Sequence, residues 1–305
     1  MRSKARSVSS RELVVISGAS TGMGAATAQY LNRLGYTVLA GVRKEADGRR
    51  LVEAANRPDQ MRPVQLDVTV EADVQGVANE VAELRQLGNR IAGVFSNAGI
   101  AQYVGDLSSE GCPMETQERV MAVDHFGAVR FIRAMLPYLR PDRGRVVINS
   151  ALMTHTVLPF NAGYAAAKCA LEGWADSLRI EVGPLGVKVV ILQPAAISSA
   201  MEGKMNTSQI PDDGPYPGQR AMAEFFLGIQ AHMANSPKTD PQLVADLVAH
   251  ALQAKRPRSR YIAGGGSKAV YLLGLFPDHV QDFVKNQGLA RVQSRSLEAT
   301  TRTVR

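Results

Sequence analysis

Two patterns of apolar positions alternate along this chain. Short runs with little polar interruption occupy residues 13–17, 36–42, 64–66, 91–96, 146–149, 187–192 and 260–263. They are rich in β-branched residues and too short for helices, so they read as strands. Between them the apolar residues recur every three or four positions, as at Ala25, Ala28, Leu31 and Leu34. The same helical period covers 72–87, 115–139, 162–182 and 241–254. Strands that are apolar on both faces and alternate with helices predict a parallel sheet covered on both sides. Right-handed crossovers then give an α/β, doubly wound arrangement.

The rhythm breaks between 198 and 237, where residues 211–218 (PDDGPYPG) concentrate turn formers. A long irregular segment inside one domain reads as a substrate lid. The apolar stretch 268–276 is expected to pack on the core rather than lie on a membrane surface. The resulting plan is a flexible basic tail at 1–11, one domain at 12–290 with a lid at about 198–237, and a flexible tail at 291–305.

Composition narrows the class without naming a chemistry. The 305 residues are 45% apolar and 21% charged, as in an ordinary globular protein. No apolar run has the length of a membrane span, and the basic start lacks the apolar core of a secretory signal. Two cysteines, Cys112 and Cys169, are too few for a disulfide framework and point to a reducing, cytoplasmic setting. The net charge of +7 gathers at Arg2, Lys4, Arg6 and Arg11, at Arg291, Arg295, Arg302 and Arg305, and in the run from Lys255 to Arg260. These groups carry no interleaved aromatics and no reading motif, so they read as solvated and nucleic acid is not an expected partner.

Candidate chemistry appears at two places. The turn Gly18-Ala19-Ser20-Thr21-Gly22-Met23-Gly24 sits between the first strand and the first helix. Glycines there let the turn take positive φ and let phosphates approach the backbone, while the helix start offers free N–H groups to an anion. Strand, glycine turn and helix together form a dinucleotide-binding pattern of the Rossmann type. Arg43 ends the second strand where NAD-binding chains place a carboxylate, which favours NADP over NAD. Asp67 follows the third strand, where it either accepts from an adenine amino group or caps the next helix. Tyr164 and Lys168 stand at i and i+4 on the long helical pattern. An ammonium beside a phenol lowers its pKa from about 10. Such a pair suits proton transfer in carbonyl/alcohol interconversion. The spacing alone favours the plainer reading of one aromatic and one surface lysine; the rest of the chain reverses it.

Taken together, Gly18/Gly22/Gly24, Asp67-Val68, Asn97-Ala98-Gly99 and Tyr164-x-x-x-Lys168 resemble the short-chain dehydrogenase/reductase family, across roughly 12–200 and loosely to 287. The segment LPFNAGYAAAKCALEG is similar to its hydroxysteroid and retinol dehydrogenase branch. The resemblance implies an NAD(P)-dependent oxidoreductase that needs no metal, with Tyr164 as acid/base and Lys168 as phenol tuner and nicotinamide-ribose ligand. It implies that Asn97-Ala98-Gly99 lies beneath the cofactor and that Pro194, Ile197 and Ser199 lie by its carboxamide. It also implies a homodimer or homotetramer built on the helices at 115–139 and 162–182. Met201, Met205, Ile210, Met222, Phe225 and Phe226 suit either a lipophilic substrate or packing of the lid.

Departures from the family pattern stand beside these matches. The family's serine, 13 residues before the tyrosine, is Ala151; Ser150 is adjacent, and Thr154 and His155 are the nearest other donors. Ser150 replaces it only if the strand end is kinked, because successive strand residues face opposite ways. The family's asparagine is Asp124, and its Pro-Gly is Pro194-Ala195. Changes at both catalytic positions leave open non-redox chemistry, or a non-catalytic nucleotide-binding module, as the alternative.

Overall fold

Leu13 and Val15 point into one apolar layer and Val14 and Ile16 into another, so the first strand is buried on both faces. The same alternation holds for Val146 and Ile148 against Val147, and for Val189 and Ile191 against Val190 and Leu192. The computed structural model describes residue 9 and residues 11–100, 108–195, 197, 219–234 and 240–287. Among these, seven parallel strands form one sheet: β1 (Glu12–Ser17), β2 (Thr37–Val42), β3 (Met61–Gln65), β4 (Arg90–Ser96), β5 (Arg145–Asn149), β6 (Lys188–Pro194) and β7 (Arg260–Ala263). Their order is β3-β2-β1-β4-β5-β6-β7. Strand order reverses between β1 and β4, and the crevice beyond their carboxyl ends is where such sheets take ligands.

The helices are α1 (Gly22–Leu34), α2 (Glu45–Glu53), α3 (Glu71–Gln86), α4 (Met114–Met121), α5 (Ala128–Asp142), α6 (Ala162–Val182), α7 (Gln219–Ala234), α8 (Gln242–Gln253) and α9 (Ser267–Leu273). Residues of α3, α5 and α6 fill one apolar layer, while α1, α2 and α8 fill the other. The doubly wound prediction is therefore met. The strands and α6 fall where the sequence pattern sets them, except that β3 begins three residues before the expected run at 64–66 and ends at Gln65, and α2 is an addition.

The helix expected at 115–139 is present and runs without a break, with a π-turn, Ala122–Gly127, between its α4 and α5 parts. Gly127 lies so close to Val68 that an added Cβ would stand 2.6 Å from its Cγ2. Asp124, within the π-turn, is buried. One expectation needs correction: the stretch at 268–276 does not pack on the core. No residue of α9 is buried, and Leu272 is 57% exposed. Instead α9 lies against the segment after β5, with Tyr271 edge-on to His155.

Both tails, Ser199 and most of the expected lid lie outside the described residues, as do Met201, Met205 and Ile210. Of the lid, α7 buries Met222 and Phe226, and Phe226 meets Phe160 at 6.4 Å between ring centroids. Among the described residues no helix is long and apolar enough to cross a membrane.

Candidate active site

The glycine turn after β1 has the conformation its composition predicts. Gly18 and Gly22 have φ of +67° and +56°, where side-chain-bearing residues are rare. A Cβ on Gly18 would stand 2.7 Å from Ala98 Cα, and one on Gly24 would collide with the Gly18 carbonyl. Thr21 occupies the N-cap of α1 without a side-chain cap bond, and no acid lies in the first turn. The start of α1 thus offers unsatisfied N–H groups and a positive dipole end to an anion. Ser20 and Met23 are half-buried beside it, and Thr21 is exposed.

A second segment is fastened to this turn. The buried Ser17 hydroxyl accepts from the backbone N–H groups of Asn97 and Ala98 at 3.0 and 3.1 Å. Asn97 Nδ2 donates to the Gly18 carbonyl at 2.8 Å, and Asn149 Nδ2 donates to Asn97 Oδ1 at 3.1 Å. Neither Ser17 nor Asn149 stands out in the sequence, since a polar residue closing an apolar run looks like a strand terminator. Asn149 hands the chain of contacts on: its carbonyl accepts from Lys168 Nζ at 3.3 Å.

Lys168 and Tyr164 leave α6 on one face, with Nζ 5.5 Å from the Tyr164 ring centroid. The lysine's counter-charge is Asp124, whose Oδ2 lies 3.1 Å from Nζ. Asp124 Oδ1 accepts from the Ile100 N–H at 2.7 Å. Both partners of this pair are buried. Burial pushes the Asp124 carboxyl up, against the opposing pull of Lys168 and the Ile100 N–H. The Tyr164 phenol is also pushed up, first by burial and then by the Asp124 charge. The direction is opposite to the lowering expected from Lys168, because burial disfavours the phenolate and the Asp124 charge adds to it.

Ser150, the neighbour of the missing serine's position, is buried and its hydroxyl is engaged elsewhere. Its hydroxyl donates to Glu172 Oε1 at 2.6 Å. Glu172 is eight residues beyond Tyr164, about 12 Å along the helix axis. Ala151 itself is buried, and Thr154 likewise donates to Glu172, at 3.0 Å.

Around the crevice mouth, Arg43 is exposed just beyond β2. Asp67 Oδ1 accepts from the Thr69 N–H and hydroxyl at 2.9 and 2.6 Å, which holds its carboxyl below the usual range. Arg43 adds a smaller push in the same direction. Asp67 therefore closes a turn ahead of α3 and is not that helix's N-cap, which is Val70. Val68 is buried, with its carbonyl accepting from Arg130 at 2.7 Å. Gly99 approaches Asp124 so closely that a Cβ would lie 3.0 Å from Oδ2. Pro194 is buried at the end of β6, and Ile197 is buried in the apolar layer shared with α1 and α8.

A doubly wound sheet with a glycine cradle at its switch point and a tyrosine–lysine pair beside it defines a nucleotide-binding oxidoreductase class. The family model described as short chain dehydrogenase matches residues 12–210, and the chain belongs to that family. It is 33% identical over 88% of its length to an uncharacterized oxidoreductase, YbbO, of Escherichia coli K12, covering 92% of that protein. It is 30% identical to estradiol 17-beta-dehydrogenase 2 of Rattus norvegicus, over 95% of this chain and 78% of the relative. Among solved structures, a short-chain dehydrogenase from Streptomyces avermitilis superposes with a TM-score of 0.73 at 27% identity, covering 92% of this chain and 97% of that one. The chain is thus an oxidoreductase of the short-chain dehydrogenase family, with relatives in its hydroxysteroid dehydrogenase branch.

Proposed function

We propose that this protein interconverts a ketone or aldehyde with an alcohol on a lipophilic small molecule, using NADP in preference to NAD and Tyr164 as acid/base. The observation carrying the proposal is the continuous contact from Lys168 through Asn149 and Asn97 to the Gly18 carbonyl. It ties the tyrosine–lysine pair to the glycine cradle through a short relay of side chains. The cradle, the uncapped start of α1 and the exposed Arg43 together fit a phosphorylated dinucleotide.

In this reading Gly18, Ser20, Thr21, Gly22, Met23 and Gly24 hold the pyrophosphate, and Arg43 holds the 2′-phosphate. Asp67 and Val68 border the adenine, while Asn97, Ala98 and Gly99 form the floor beneath the nicotinamide half, with Lys168 on its ribose. Pro194 and Ile197 border the carboxamide. The bound cofactor supplies or accepts the hydride. Tyr164 holds the proton at Oη and gives it to the carbonyl oxygen in reduction. Its raised pKa suits that direction, since the phenol stays protonated through neutral pH. Lys168, held by Asp124, stands 5.5 Å from the Tyr164 ring centroid, within reach of the ribose assigned to it. A homo-oligomer through the helices at 115–139 (α4 and α5) and 162–182 (α6) is consistent with exposed Met114 and Ile180.

Two variants test this reading. Arg43→Ala is expected to weaken NADPH binding about tenfold or more, as for a lost charged hydrogen bond, while NADH binding barely changes. Cofactor fluorescence titration reads both, and equal losses would remove the basis for the NADP preference. Ala151→Ser restores a donor at the family's serine position. It should raise kcat/KM on a panel of lipophilic ketones and aldehydes by at least about tenfold, and by no more than the 10²–10³ that one such donor supplies.

The second reading, non-redox chemistry or nucleotide binding without catalysis, draws on the Asp124–Lys168 ion pair and on Ala151. NADPH binding without turnover on the whole panel, even in Ala151→Ser, would favour it.

A further inference from the structure

Glu172 is a buried carboxylate that the reaction above does not use. It is 7% exposed on α6, and it accepts from side chains arriving from separate segments. Ser150 Oγ donates at 2.6 Å and Thr154 Oγ1 at 3.0 Å from the segment after β5. Gln193 Nε2, at the end of β6, lies 2.9 Å from both carboxylate oxygens. Arg260 Nε of β7 donates at 3.3 Å, and its other end grips Asp176 one turn along α6 at 2.6 Å. One side chain on α6 therefore ties three neighbouring strand ends to the helix that carries Tyr164.

The segment it holds stands beside the catalytic tyrosine. Met153 Sδ takes the amide of Asn161 at 3.4 Å, and Asn161 is the N-cap residue of α6, one turn before Tyr164. Gln193 carries the arrangement one step further. A carboxylate only accepts, so the Gln193 amide must turn its nitrogen to Glu172 and its oxygen away. That oxygen lies 3.1 Å from His155 Nε2. Nε2 must then carry a proton, which leaves the lone pair of the neutral ring on Nδ1. Among the described residues none hydrogen-bonds to Nδ1.

We propose that Glu172 is a positioning residue for the carbonyl substrate: it sets residues 150–155 against Tyr164 and, through Gln193, fixes the tautomer of His155. None of its side-chain partners belongs to the glycine turn or to Asn97-Ala98-Gly99, so the effect falls on the substrate and not on the cofactor. The kinetic part rests on Tyr164 being the acid; the histidine part does not.

The test compares Glu172→Gln and Gln193→Met with the parent protein, using NADPH and phenanthrenequinone as probes. Both variants should raise KM for the quinone about tenfold, in line with the cost of misplacing a bound reactant. The fold-change in kcat should be smaller, and the NADPH Kd should stay within about twofold. NMR of the histidine ring nitrogens should show His155 in the Nε2–H form in the parent and mixed tautomers in both variants. Unchanged KM and an unchanged His155 signal, with only a lower melting temperature, would overturn the proposal. Should Glu172→Gln fail to fold, Gln193→Met decides alone, because it removes the histidine link and leaves the Ser150 and Thr154 bonds in place. Should the parent not reduce the quinone, the reading of Tyr164 fails separately, and the histidine signals alone decide the positioning claim.

Discussion

Tyr164→Phe is expected to lower kcat for carbonyl reduction by about 10³-fold or more, while NADPH affinity stays within about twofold. The substitution keeps the ring that Lys168 Nζ faces at 5.5 Å and deletes only the hydroxyl. In the proposed reading, cofactor binding rests on other groups: the glycine turn, the uncapped start of α1 and the Asn97–Asn149–Lys168 chain of contacts. Losing the proton donor therefore separates chemistry from binding. The direction of the phenol's shift adds a check on the parent protein. Burial and the Asp124 charge both favour the neutral phenol, so reduction should hold a level rate through neutral pH. Alcohol oxidation needs the phenolate as base and should keep accelerating into the alkaline range. Stopped-flow or steady-state absorbance of NADPH reads both limbs. A Tyr164→Phe protein with full activity would remove this residue from the reaction.

Lys168→Met is expected to be the most damaging single change to stability, at about 3–5 kcal/mol near neutral pH, because it leaves a buried carboxylate without its counter-charge. Asp124 is fully buried and 3.1 Å from the ammonium; without that ammonium, the carboxylate keeps the Ile100 N–H as its donor. The pH dependence follows from the direction of the Asp124 shift. Its carboxyl sits above the usual value in the folded protein, so its contribution to stability is present in acid and is lost as pH rises through the raised value. Removing the lysine raises that value further. The deficit of Lys168→Met should therefore be largest at neutral pH and shrink toward the ordinary carboxylate range. Adding Asp124→Asn to Lys168→Met should recover most of the lost stability, since no charge then remains buried. Urea denaturation across pH measures all of these, and a deficit independent of pH would exclude the unpaired carboxylate as its cause.

The sheet was legible because its central strands are apolar on both faces, a pattern that strands with a solvent-facing side do not show. The helix α2 was not, because its sequence EADGRRLVE buries only Gly48 and Leu51 and reads as a charged loop. The π-turn was invisible for a different reason. One extra residue leaves the recurrence of apolar positions at 115–139 almost unchanged, and only the tight approach of Gly127 to Val68 exposes it. At the site, glycines announced themselves through spacing, whereas Ser17, Asn149, Glu172 and Gln193 did not. Each is a polar residue whose partner is distant in sequence, and no local pattern encodes such a meeting. The protonation of Tyr164 was hidden on the same ground. The i, i+4 lysine is visible in sequence, but burial and Asp124 are properties of the folded chain.

Asp124 binds the backbone beyond Gly99 with one oxygen and Lys168 with the other. A loop and a helix are thereby fastened to a single acid, so the position of one answers to the charge on the other. Asparagine at position 124 would remove the counter-charge and leave the Asn149 carbonyl as an acceptor for Lys168, while any side chain at position 99 would press on the acid at 3.0 Å. Positions 99, 100, 124 and 168 are thereby coupled through one carboxylate.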